Sequence, residues 1–433
     1  MKILIISTFF PPLNSIASLR PYSWAKYWSQ AGHDVTVLTT EKNKDADDAL
    51  SLHLNGFKIV EVPYPELIKR LKQDYNSDKK NERKSDQPAP RNFLKKLLTK
   101  FFHYLRFDKG VFHSCRMPDI TDLWVNRAYK SIKSEGPWDS IISTSGPYTT
   151  HLIAHKLKKN DLSKIWIADY RDSWSNNFIY KGIFPFNFIE RLVEKHILQK
   201  ADLVTTISKP FAEMIAKEFN HPNVQVIENG FDIEELENIS KSSIFPDDDM
   251  FRIVHTGSIY KGRRDPSPLF QAIQKIANDP QNSHWLNRLE VIFAGSNQAD
   301  LQKLIEQYQV QKWVKIIGQI KHEDALRMQR DAHLLLFLPW NDLSINGVLT
   351  GKLFEYLFSG TPLLAVGASA LEDSQKLIID SNAGQALFSV ESIKKFLIEH
   401  LQKNMKVKHP IAAEVLNKYT RKHQADRLLQ LLK

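Results

Sequence analysis

Cysteine and long apolar runs are the features that this sequence most clearly lacks. Cys115 is the single cysteine in 433 residues, which excludes an intrachain disulfide framework and suits a reducing compartment. No window of 18 or more apolar residues occurs, so we expect no membrane-spanning helix. The apolar N-terminal run is short, is followed by Pro11 and Pro12 and lacks a small-residue cleavage site. We therefore interpret it as a buried strand instead of a signal peptide.

Length and charge set the class of protein. A chain of 433 residues exceeds the size at which single cores stop growing, so two domains are expected. The net charge of +10 suits anionic partners such as nucleotides, lipid headgroups or nucleic acid. The basic residues concentrate in one helix and one loop, and no DNA- or RNA-binding motif occurs. We therefore expect no nucleic-acid partner.

Strand and helix patterns alternate along the first half of the chain. Strands are predicted at residues 3–7, 34–39, 58–62, 140–143, 165–169, 202–206 and 224–227. Helices are predicted at 18–31, with Gly32 as its cap, at about 122–134, after Pro147 and around 188–199. Residues 73–92 are almost purely polar, which predicts a flexible segment.

A second alternating series follows a polar stretch beyond Glu234 that is typical of a linker. Its strands are predicted at residues 251–257, 289–295, 314–318, 334–339 and 362–366. Strands separated by helices of 10–15 residues indicate parallel βαβ units. The predicted fold is α/β, with two Rossmann-like domains facing a central cleft. Domain bounds are expected at 1–235 for an acceptor-binding domain, 245–410 for a donor-binding domain, and 411–433 for a C-terminal helix.

The most informative segment is residues 334–366, LLLFLPWNDLSINGVLTGKLFEYLFSGTPLLAV. It predicts a strand, a glycine-containing loop, a helix that begins near Gly351 and a second strand. A helix N-terminus offers unpaired backbone N–H groups and the positive end of its dipole to a phosphate, and Lys352 adds a cation. Glu355, one turn further on, can accept hydrogen bonds from ribose hydroxyls. A Glu in a first turn can also be only a dipole partner.

The segment GKLFEYLFSGTPLLAV resembles the donor-binding segment of GT-B glycosyltransferases of the family-4 type, also called glycosyltransferase group 1. In that family a Glu-x7-Glu pattern precedes a small-Gly-Thr-Pro turn. Here Gly347 stands at the first Glu position, so only Glu355 is carried over. The resemblance implies donor contacts from Leu349, Thr350, Gly351, Glu355 and Thr361, and a catalytic role for Lys352.

A basic loop follows the strand at 251–257, and the strand and loop together have the sequence FRIVHTGSIYKGRRDP. Its cations at a strand's carboxyl end suit a diphosphate leaving group, although solvated surface charges are as common. In similar enzymes this loop holds an Arg and a Lys that clamp the donor diphosphate. Alignment puts Arg264 near the usual Lys and Ser258 near the usual Arg, with Lys261 or Arg263 as alternative cations. The resemblance also places Gly295 near the nucleobase.

Candidate residues in the N-terminal half lie in loops after predicted strands. Pro12 and Asn14 follow the first strand, and Arg20 lies in the next helix, where a surface position is as good an interpretation as an acceptor contact. His151 is a candidate catalytic residue because similar enzymes keep a His near this place, although a lone His is more often structural. Asp172, in the charged group 169–172, either contacts the acceptor or belongs to a wall of Asp–Arg ion pairs, and the ion pair is the preferred interpretation.

Residues 91–116 have a strongly two-sided pattern. Seven apolar side chains fall on one face of a helix at about 93–107 and five basic ones on the other. Such a helix is typical of an anionic membrane surface, or of a helix packed on its own domain. The lysine density and the polar segment before it favour the membrane.

Together these features predict a hexosyltransferase-type glycosyltransferase. It would move a sugar from a nucleotide-diphosphate donor to a lipid-linked or glycan acceptor in cell-surface polysaccharide synthesis (capsule, O-antigen or exopolysaccharide), with retention of configuration. No Asp-x-Asp lies at a predicted strand end, so we expect no metal and no cofactor. We expect a cytoplasmic protein held peripherally at the inner face of the plasma membrane. Alternatives are a GT-B-like nucleotide-sugar 2-epimerase, using Asp172 and His151 as acid and base, and a non-enzymatic anionic-surface binding protein.

Overall fold

The structure is a computed structural model of the chain. It describes residues 1–43, 50, 52–65, 101–102, 104–106, 108–111, 116–177, 180–259, 264–295, 299–340, 349–367, 373–403, 406, 408 and 411–432. The predicted flexible segment 73–92 and the first part of the predicted helix at 93–107 lie outside the described residues. The described part of that helix, 101–102 and 104–106, is helical.

The chain divides into two compact units. Unit 1 contains Met1–Ile227 and Ala425–Lys433, and unit 2 contains Glu228–Gln424. Residues 228–235 thus belong to unit 2, whereas the sequence assigned them to the N-terminal domain. Gly230 leaves no room for a side chain, since a Cβ there would lie 2.7 Å from the carbonyl oxygen of Tyr419. Phe231 N–H donates to Tyr419 O, and Arg421 N–H donates to Phe231 O.

Unit 1 is built on a seven-stranded sheet whose strands all run parallel. The strands are β1 (Lys2–Ile6), β2 (Asp34–Thr40), β3 (Lys58–Val62), β4 (Trp138–Thr144), β5 (Ser163–Tyr170), β6 (Leu203–Thr206) and β7 (Val224–Val226). Their spatial order is β3-β2-β1-β4-β5-β6-β7. The order reverses between β1 and β4, which is the arrangement of a doubly wound fold.

The described helices of unit 1 are α1 (Ile16–Gln30), α2 (Val125–Ile132), α3 (Thr149–Lys159), α4 (Phe186–Leu198) and α5 (Lys209–Phe219), with 3₁₀ turns at Ile120–Leu123 and Lys133–Glu135. Four of them, α1 to α4, follow the predicted positions closely, and α5 was not predicted. The Ser15 hydroxyl caps α1 by accepting from the N–H of Ala17. Gly32 follows α1 at a φ of +84°, a conformation that favours glycine.

Unit 2 repeats the same topology with six parallel strands. They are β8 (Phe251–Thr256), β9 (Leu289–Ala294), β10 (Val314–Gly318), β11 (Leu334–Phe337), β12 (Leu363–Val366) and β13 (Gly384–Leu387), in the order β10-β9-β8-β11-β12-β13. Its helices are α6 (Ile233–Glu237), α7 (Ser267–Ala277), α8 (Ala299–Gln307), α9 (His322–Asp331), α10 (Gly351–Ser359), α11 (Asp373–Asp380), α12 (Val390–Lys403) and α13 (Ala413–Lys418), with a 3₁₀ turn at Ser283–Arg288.

Both sheets have apolar cores on their two faces. The inner strands β8, β9, β11 and β12 are buried along their whole length, as expected for parallel sheets covered by helices. One core of unit 1 includes Trp24 and Trp28, stacked at 6.0 Å, together with Ala425 and Leu428 near the C-terminus. This contact explains why the last residues belong to unit 1.

The predicted α/β class with two Rossmann-like units is confirmed. Two details were wrong. Residues 411–433 form two helices, α13 and α14 (Arg421–Gln430), instead of one, and the boundary between the units falls inside α14. Strand β13 was missed because its four residues, GQAL, are short and half polar. Among the described residues, no helix is both long enough and apolar enough to cross a bilayer.

Candidate active site

The carboxyl ends of β8 and β11 form the topological switch point of the sheet in unit 2. These two strands are neighbours in space although three helices and two strands separate them in sequence. In open parallel sheets, ligands bind in the crevice at such a point. Gly257 directly follows β8, and α10 begins beyond β11. The two segments singled out in the sequence are thus brought to one edge of one sheet.

Two glycines allow the backbones after β8 and β9 to approach closely at this edge. Gly257 has a φ of +141° and Gly295 a φ of +149°. A Cβ on Gly295 would lie 2.2 Å from the carbonyl oxygen of Gly257, so no side chain fits there. Packing is therefore a sufficient reason for Gly295, and its predicted nucleobase contact stays a prediction.

Three nitrogen-bearing side chains converge on the open side of Gly257. A Cβ built on this glycine would lie 3.7 Å from His255 Nε2, 3.9 Å from Arg264 Nη1 and 3.9 Å from Lys352 Cε. Arg264 and Lys352 are thus close together, although 88 residues separate them in sequence. Ser258, next to Gly257, is half-buried. Lys261 and Arg263, the alternative cations, lie outside the described residues.

Glu355 is tied to the same group by hydrogen bonds. Lys352 Nζ donates to its Oε2 at 2.6 Å, and Gln329 Nε2 donates to the same oxygen at 3.2 Å. Gln329 also donates to Thr256 Oγ1 at 2.9 Å, which links α9 to the end of β8. Tyr356 Oη accepts from the N–H of Thr256 at 2.8 Å and so fixes α10 against β8. The cluster is therefore held by three elements of unit 2.

Electrostatics keep Glu355 ionised although its side chain is only 2% exposed. Burial acts to raise its pKa, but the charges of Lys352 and His322 and the hydrogen bonds from Lys352 and Gln329 outweigh burial. The pKa of this carboxyl is therefore below its ordinary value. Lys352 is 21% exposed, so the cluster has an anionic base and a cationic rim.

His255 was missed by the sequence analysis. Burial lowers its pKa to about 3, with Arg264 and Lys352 contributing in the same direction. Its Nδ1 lies 2.9 Å from the carbonyl oxygen of Leu336, which can only accept, so Nδ1 carries the proton. The other nitrogen, Nε2, has no hydrogen-bond partner in the described part of the chain. The ring thus presents a neutral acceptor beside two cations.

The N-terminus of α10 has no side-chain cap. Thr350 is the N-cap residue, and its buried hydroxyl has no partner among the described residues. Leu349 is held from behind, because Asn229 Nδ2 donates to its carbonyl oxygen at 3.1 Å. The first N–H groups of α10, beginning at Gly351, therefore meet Lys352 at one place that suits an anion.

Thr361 lies at the opposite end of α10 and does not belong to this cluster. A helix of nine residues is about 13 Å long. The Thr361 hydroxyl donates to Arg330 O at 3.2 Å and accepts from Lys408 Nζ at 2.7 Å. Its predicted donor contact was wrong, because the turn that it stabilises leads into β12 at the amino-terminal edge of the sheet.

In unit 1, Arg20 forms a buried ion pair instead of an acceptor contact. Its Nε and Nη2 donate to the two carboxylate oxygens of Asp169 at 3.1 and 2.7 Å, and Nη2 also donates to Ile227 O. Asp169 accepts further hydrogen bonds from Thr144 and Thr205, both at 2.8 Å. Burial acts to raise its pKa, but Arg20 and the two hydroxyls hold the pKa below its ordinary value. Arg20 is only 6% exposed and is committed to this ion pair, so the structure does not support its predicted acceptor role.

His151 is fully buried and lies in a structural position. Its Nδ1 is hydrogen-bonded to Ser143 Oγ at 2.7 Å, and its ring stacks on Tyr170 with centroids 4.7 Å apart. Burial lowers its pKa to about 3, against a smaller opposing effect of Asp169. His151 is fully buried between Ser143 and Tyr170, so its position is structural and gives its predicted catalytic role no support.

This burial makes a prediction about acid stability. Between pH 6.5 and about 3 the unfolded chain protonates His151 and the folded chain does not, so folding stability falls as the pH drops through this window. His151→Gln removes that dependence. We expect the free energy of unfolding, measured with denaturant at pH 7 and at pH 5, to fall by about 2 kcal/mol less in the variant than in the wild type. The exposed His423→Gln is the control, and an unchanged pH slope in His151→Gln would contradict the assignment.

The loops after β1, β4 and β5 meet at the switch point of unit 1. Thr8 Oγ1 donates to Gly146 O at 3.3 Å. Arg171 Nε donates to Asp172 Oδ2 at 3.1 Å, and its guanidinium lies 5.2 Å from the centre of the Phe9 ring. The predicted Asp–Arg pairing within the group 169–172 is therefore present at Asp172, whereas the pairing of Asp169 with the distant Arg20 was not predicted.

The Asp172 side chain remains 61% exposed. Two further acceptor-side candidates, Pro12 and Asn14, are half-exposed in the loop after β1. Acceptor contact by these three residues stays a prediction.

Comparison with known proteins supports the fold. No protein-family model matches the chain. An uncharacterized glycosyltransferase of Methanocaldococcus jannaschii is 23% identical over 222 residues, which cover 50% of this chain and 54% of that protein. The chain thus spans about half the length of the curated relative that it matches.

Three of the solved structures that match almost the whole chain illustrate the similarity. S. aureus TarM, in a complex with UDP and alpha-GlcNAc-glycerol, is 12% identical with a TM-score of 0.58 and coverage of 100% of both chains. The lipopolysaccharide outer core galactosyltransferase WaaB is 12% identical with a TM-score of 0.54, covering 99% of this chain and 98% of its own. A protein described as a UDP-N-acetylglucosamine 2-epimerase from Listeria monocytogenes is 14% identical with a TM-score of 0.52, covering 100% and 95%. The chain therefore has the GT-B fold of these proteins.

Proposed function

We propose that the protein is a glycosyltransferase that uses a nucleotide-diphosphate sugar as donor. One observation carries the proposal: Arg264, Lys352 and Glu355 are brought together at the N-terminus of α10, beside the open face of Gly257. Two cations and a helix N-terminus are suited to a diphosphate, and a buried ionised carboxylate one turn along the helix is suited to ribose hydroxyls.

The arrangement accounts for the chemical step in electrostatic terms. When the bond between the sugar and the diphosphate breaks, negative charge develops on the leaving oxygen. Arg264, Lys352 and the N–H groups of α10 stabilise that charge without reorganising, which lowers the barrier more than it strengthens ground-state binding. Glu355 orients the nucleotide, and Lys352 exchanges its contact with Glu355 for the diphosphate.

We further propose that configuration is retained and that neither metal nor cofactor takes part. The carboxylate of the cluster, Glu355, is held by Lys352 and Gln329 and has a nucleotide-orienting role, so it is not the nucleophile. The two cations supply the charge that a metal ion would supply in other transferases.

The acceptor in this proposal is a lipid-linked glycan of a cell-surface polysaccharide, such as a capsule, an O-antigen or an exopolysaccharide. Support comes from the shared fold with the lipopolysaccharide galactosyltransferase named above and from the basic, apolar pattern of residues 93–107. The protein would then work on the cytoplasmic side, bound peripherally to the inner face of the plasma membrane. Asp172, Pro12 and Asn14 are the proposed acceptor contacts.

A nucleotide-sugar 2-epimerase would also bind a nucleotide diphosphate, but it needs an acid and a base at the sugar. One of the two nominated residues, His151, is fully buried against Tyr170. The burial of His151 therefore favours transfer over epimerisation. A binding protein without activity would need no donor site at all.

A thermal-shift screen against nucleotide-sugars tests the proposed function. A ligand that binds only the folded state stabilises it by about 2.7 kcal/mol at a hundred times its Kd. We expect one nucleotide series to raise the unfolding temperature, with the nucleoside alone giving little effect and the diphosphate giving most of it. Product analysis with the selected donor then separates transfer from epimerisation. No stabilisation by any nucleoside diphosphate or nucleotide-sugar would overturn the proposal.

A further inference from the structure

The first part of helix α4 in unit 1 has its polarity reversed relative to an ordinary surface helix, whereas Ile197 and Leu198 in its last turn are buried. Its two carboxylates, Glu190 and Glu194, are buried, at 0% and 2% exposure. Its large apolar side chains Phe188, Ile189 and Leu192 point outward, at 62%, 40% and 54%. A surface helix normally buries the apolar face and exposes the charged one. The outward face of α4 is therefore built for an environment other than water.

Specific hydrogen bonds fix this orientation. Glu190 forms a buried ion pair with Arg116 and accepts from the N–H of Met117 at 3.0 Å. Glu194 accepts from the N–H of Ser175 at 2.9 Å. Burial raises the pKa of Glu194 to about 7, against the opposing hydrogen bonds from Ser175. Rotating the helix to cover its apolar face would expose these acids and break their contacts, so the outward display is the stable arrangement.

The apolar surface extends along the chain before α4. Phe184 is 86% exposed, more than any other large apolar side chain in the described residues. Spacing of three and four residues puts Phe188 and Leu192 on one face of the helix, with Ile189 beside them. Three large apolar groups thus lie together on α4, with Phe184 exposed two residues before its start, and exposed apolar patches of this kind mark interaction sites.

Lys109 and Gly110, in the segment 101–111, pack against the residues that precede α4. The N–H of Gly182 donates to Lys109 O at 3.1 Å. Gly110 packs so closely on Tyr180 that a Cβ there would lie 2.5 Å from the Tyr180 Cβ. Three aromatic side chains of this segment are exposed, namely Phe101 at 58%, Phe102 at 41% and Tyr104 at 45%. The chain that follows the described end of the basic helix predicted at 93–107 is therefore held against the residues just before α4.

Charge indicates what covers this surface. Between residues 181 and 200 the only carboxylates are the two buried ones. Lys181, Lys195 and Lys200 are exposed, and Arg191 is paired with Glu218 at 2.7 Å. A second copy of the chain, docked about a twofold axis, would bring these cations against themselves. Anionic lipid headgroups complement them, and the hydrocarbon below accepts the phenyl rings.

We propose that α4, together with Phe184 and the exposed aromatic residues Phe101, Phe102 and Tyr104, forms a docking surface for an anionic lipid bilayer, in which the exposed aromatic rings enter the interface and the cations contact the headgroups. The proposed surface includes α4, which the sequence analysis did not single out, in addition to the predicted membrane helix. It rests on the peripheral membrane binding of the proposed function, which it deepens by naming the surface, and it does not depend on donor chemistry.

Liposome flotation of the full chain tests the proposal. Wild type should bind vesicles that contain phosphatidylglycerol, and should bind less to pure phosphatidylcholine or at raised salt. Phe184→Ser with Phe188→Ser should reduce binding at least tenfold. Lys195→Glu should reduce binding to anionic vesicles alone. Phe388→Ser, at an exposed aromatic of unit 2, is the matched control and should leave binding unchanged.

Two outcomes would overturn the proposal. One is equal binding by wild type and the double Phe variant. The other is a wild-type dimer in light scattering that the double variant converts to a monomer, because the surface would then join two copies. A thermal shift with the nucleotide-sugar, measured on the same variants, keeps this test separate from the proposed function. The nucleotide-sugar should raise the unfolding temperature of the double variant as much as that of the wild type. If it raised neither, the proposed donor site would be wrong and the membrane surface would be unaffected.

Discussion

Replacing Glu355 by Gln is expected to weaken nucleotide-sugar binding by about ten- to a hundredfold, the range of one or two hydrogen bonds to a charged group. The substitution keeps the shape of the side chain but removes the charge that holds Lys352 at 2.6 Å and that would accept from ribose. The measurement is the Kd of the nucleotide-sugar by calorimetry. The loss should also appear with the nucleoside diphosphate, because ribose and diphosphate belong to both ligands.

Glu399→Gln is the matched control, since this exposed Glu lies on α12 of the same unit. Its affinity should equal that of the wild type. Unfolding temperatures of both variants establish that they are folded, because Glu355 is buried and its replacement also perturbs Gln329. Wild-type affinity in a folded Glu355→Gln protein would refute the ribose assignment.

Replacing Arg264 or Lys352 by Met is expected to lower kcat by about a hundred- to a thousandfold, the usual effect of removing one group that stabilises developing charge. Each methionine retains the apolar stem and removes the cation. The KM for the acceptor should change little, since neither residue is assigned to the acceptor. Steady-state kinetics with the donor selected by the thermal-shift screen give both constants.

The variant that carries both Arg264→Met and Lys352→Met should lose less kcat than the product of the two single losses. Both cations act on one diphosphate, and the effects of groups that work as a unit are not additive. Lys395→Met, an exposed cation of α12, is the control. Unchanged kcat in either single variant would remove that residue from the catalytic group.

Local patterns made much of the fold and the donor segment predictable. Buried parallel strands form nearly continuous apolar runs, and the glycine loop before Lys352 indicated a helix N-terminus. The assignment of Arg264 and Lys352 to one donor diphosphate came from the resemblance to GT-B glycosyltransferases, and the meeting of strand ends at one edge of a parallel sheet accounts for their proximity.

The contacts that determine the fate of single polar residues were not predictable. Arg20 finds Asp169 across 149 positions, and His151 is enclosed by Ser143 and Tyr170. Gln329 joins Glu355 from another helix, and nothing in its local sequence marks it. His255 carried a weak signal, as a titratable residue in the otherwise apolar end of a strand. These outcomes depend on tertiary neighbours, which periodicity does not encode.

A crystal structure with bound UDP tests the central claim most directly. The account predicts the diphosphate at the N-terminus of α10, within hydrogen-bonding distance of the Gly351 or Lys352 N–H and of the Arg264 side chain, with a ribose hydroxyl on Glu355. A nucleotide bound elsewhere, while Glu355 keeps only Lys352 and Gln329 as partners, would contradict it.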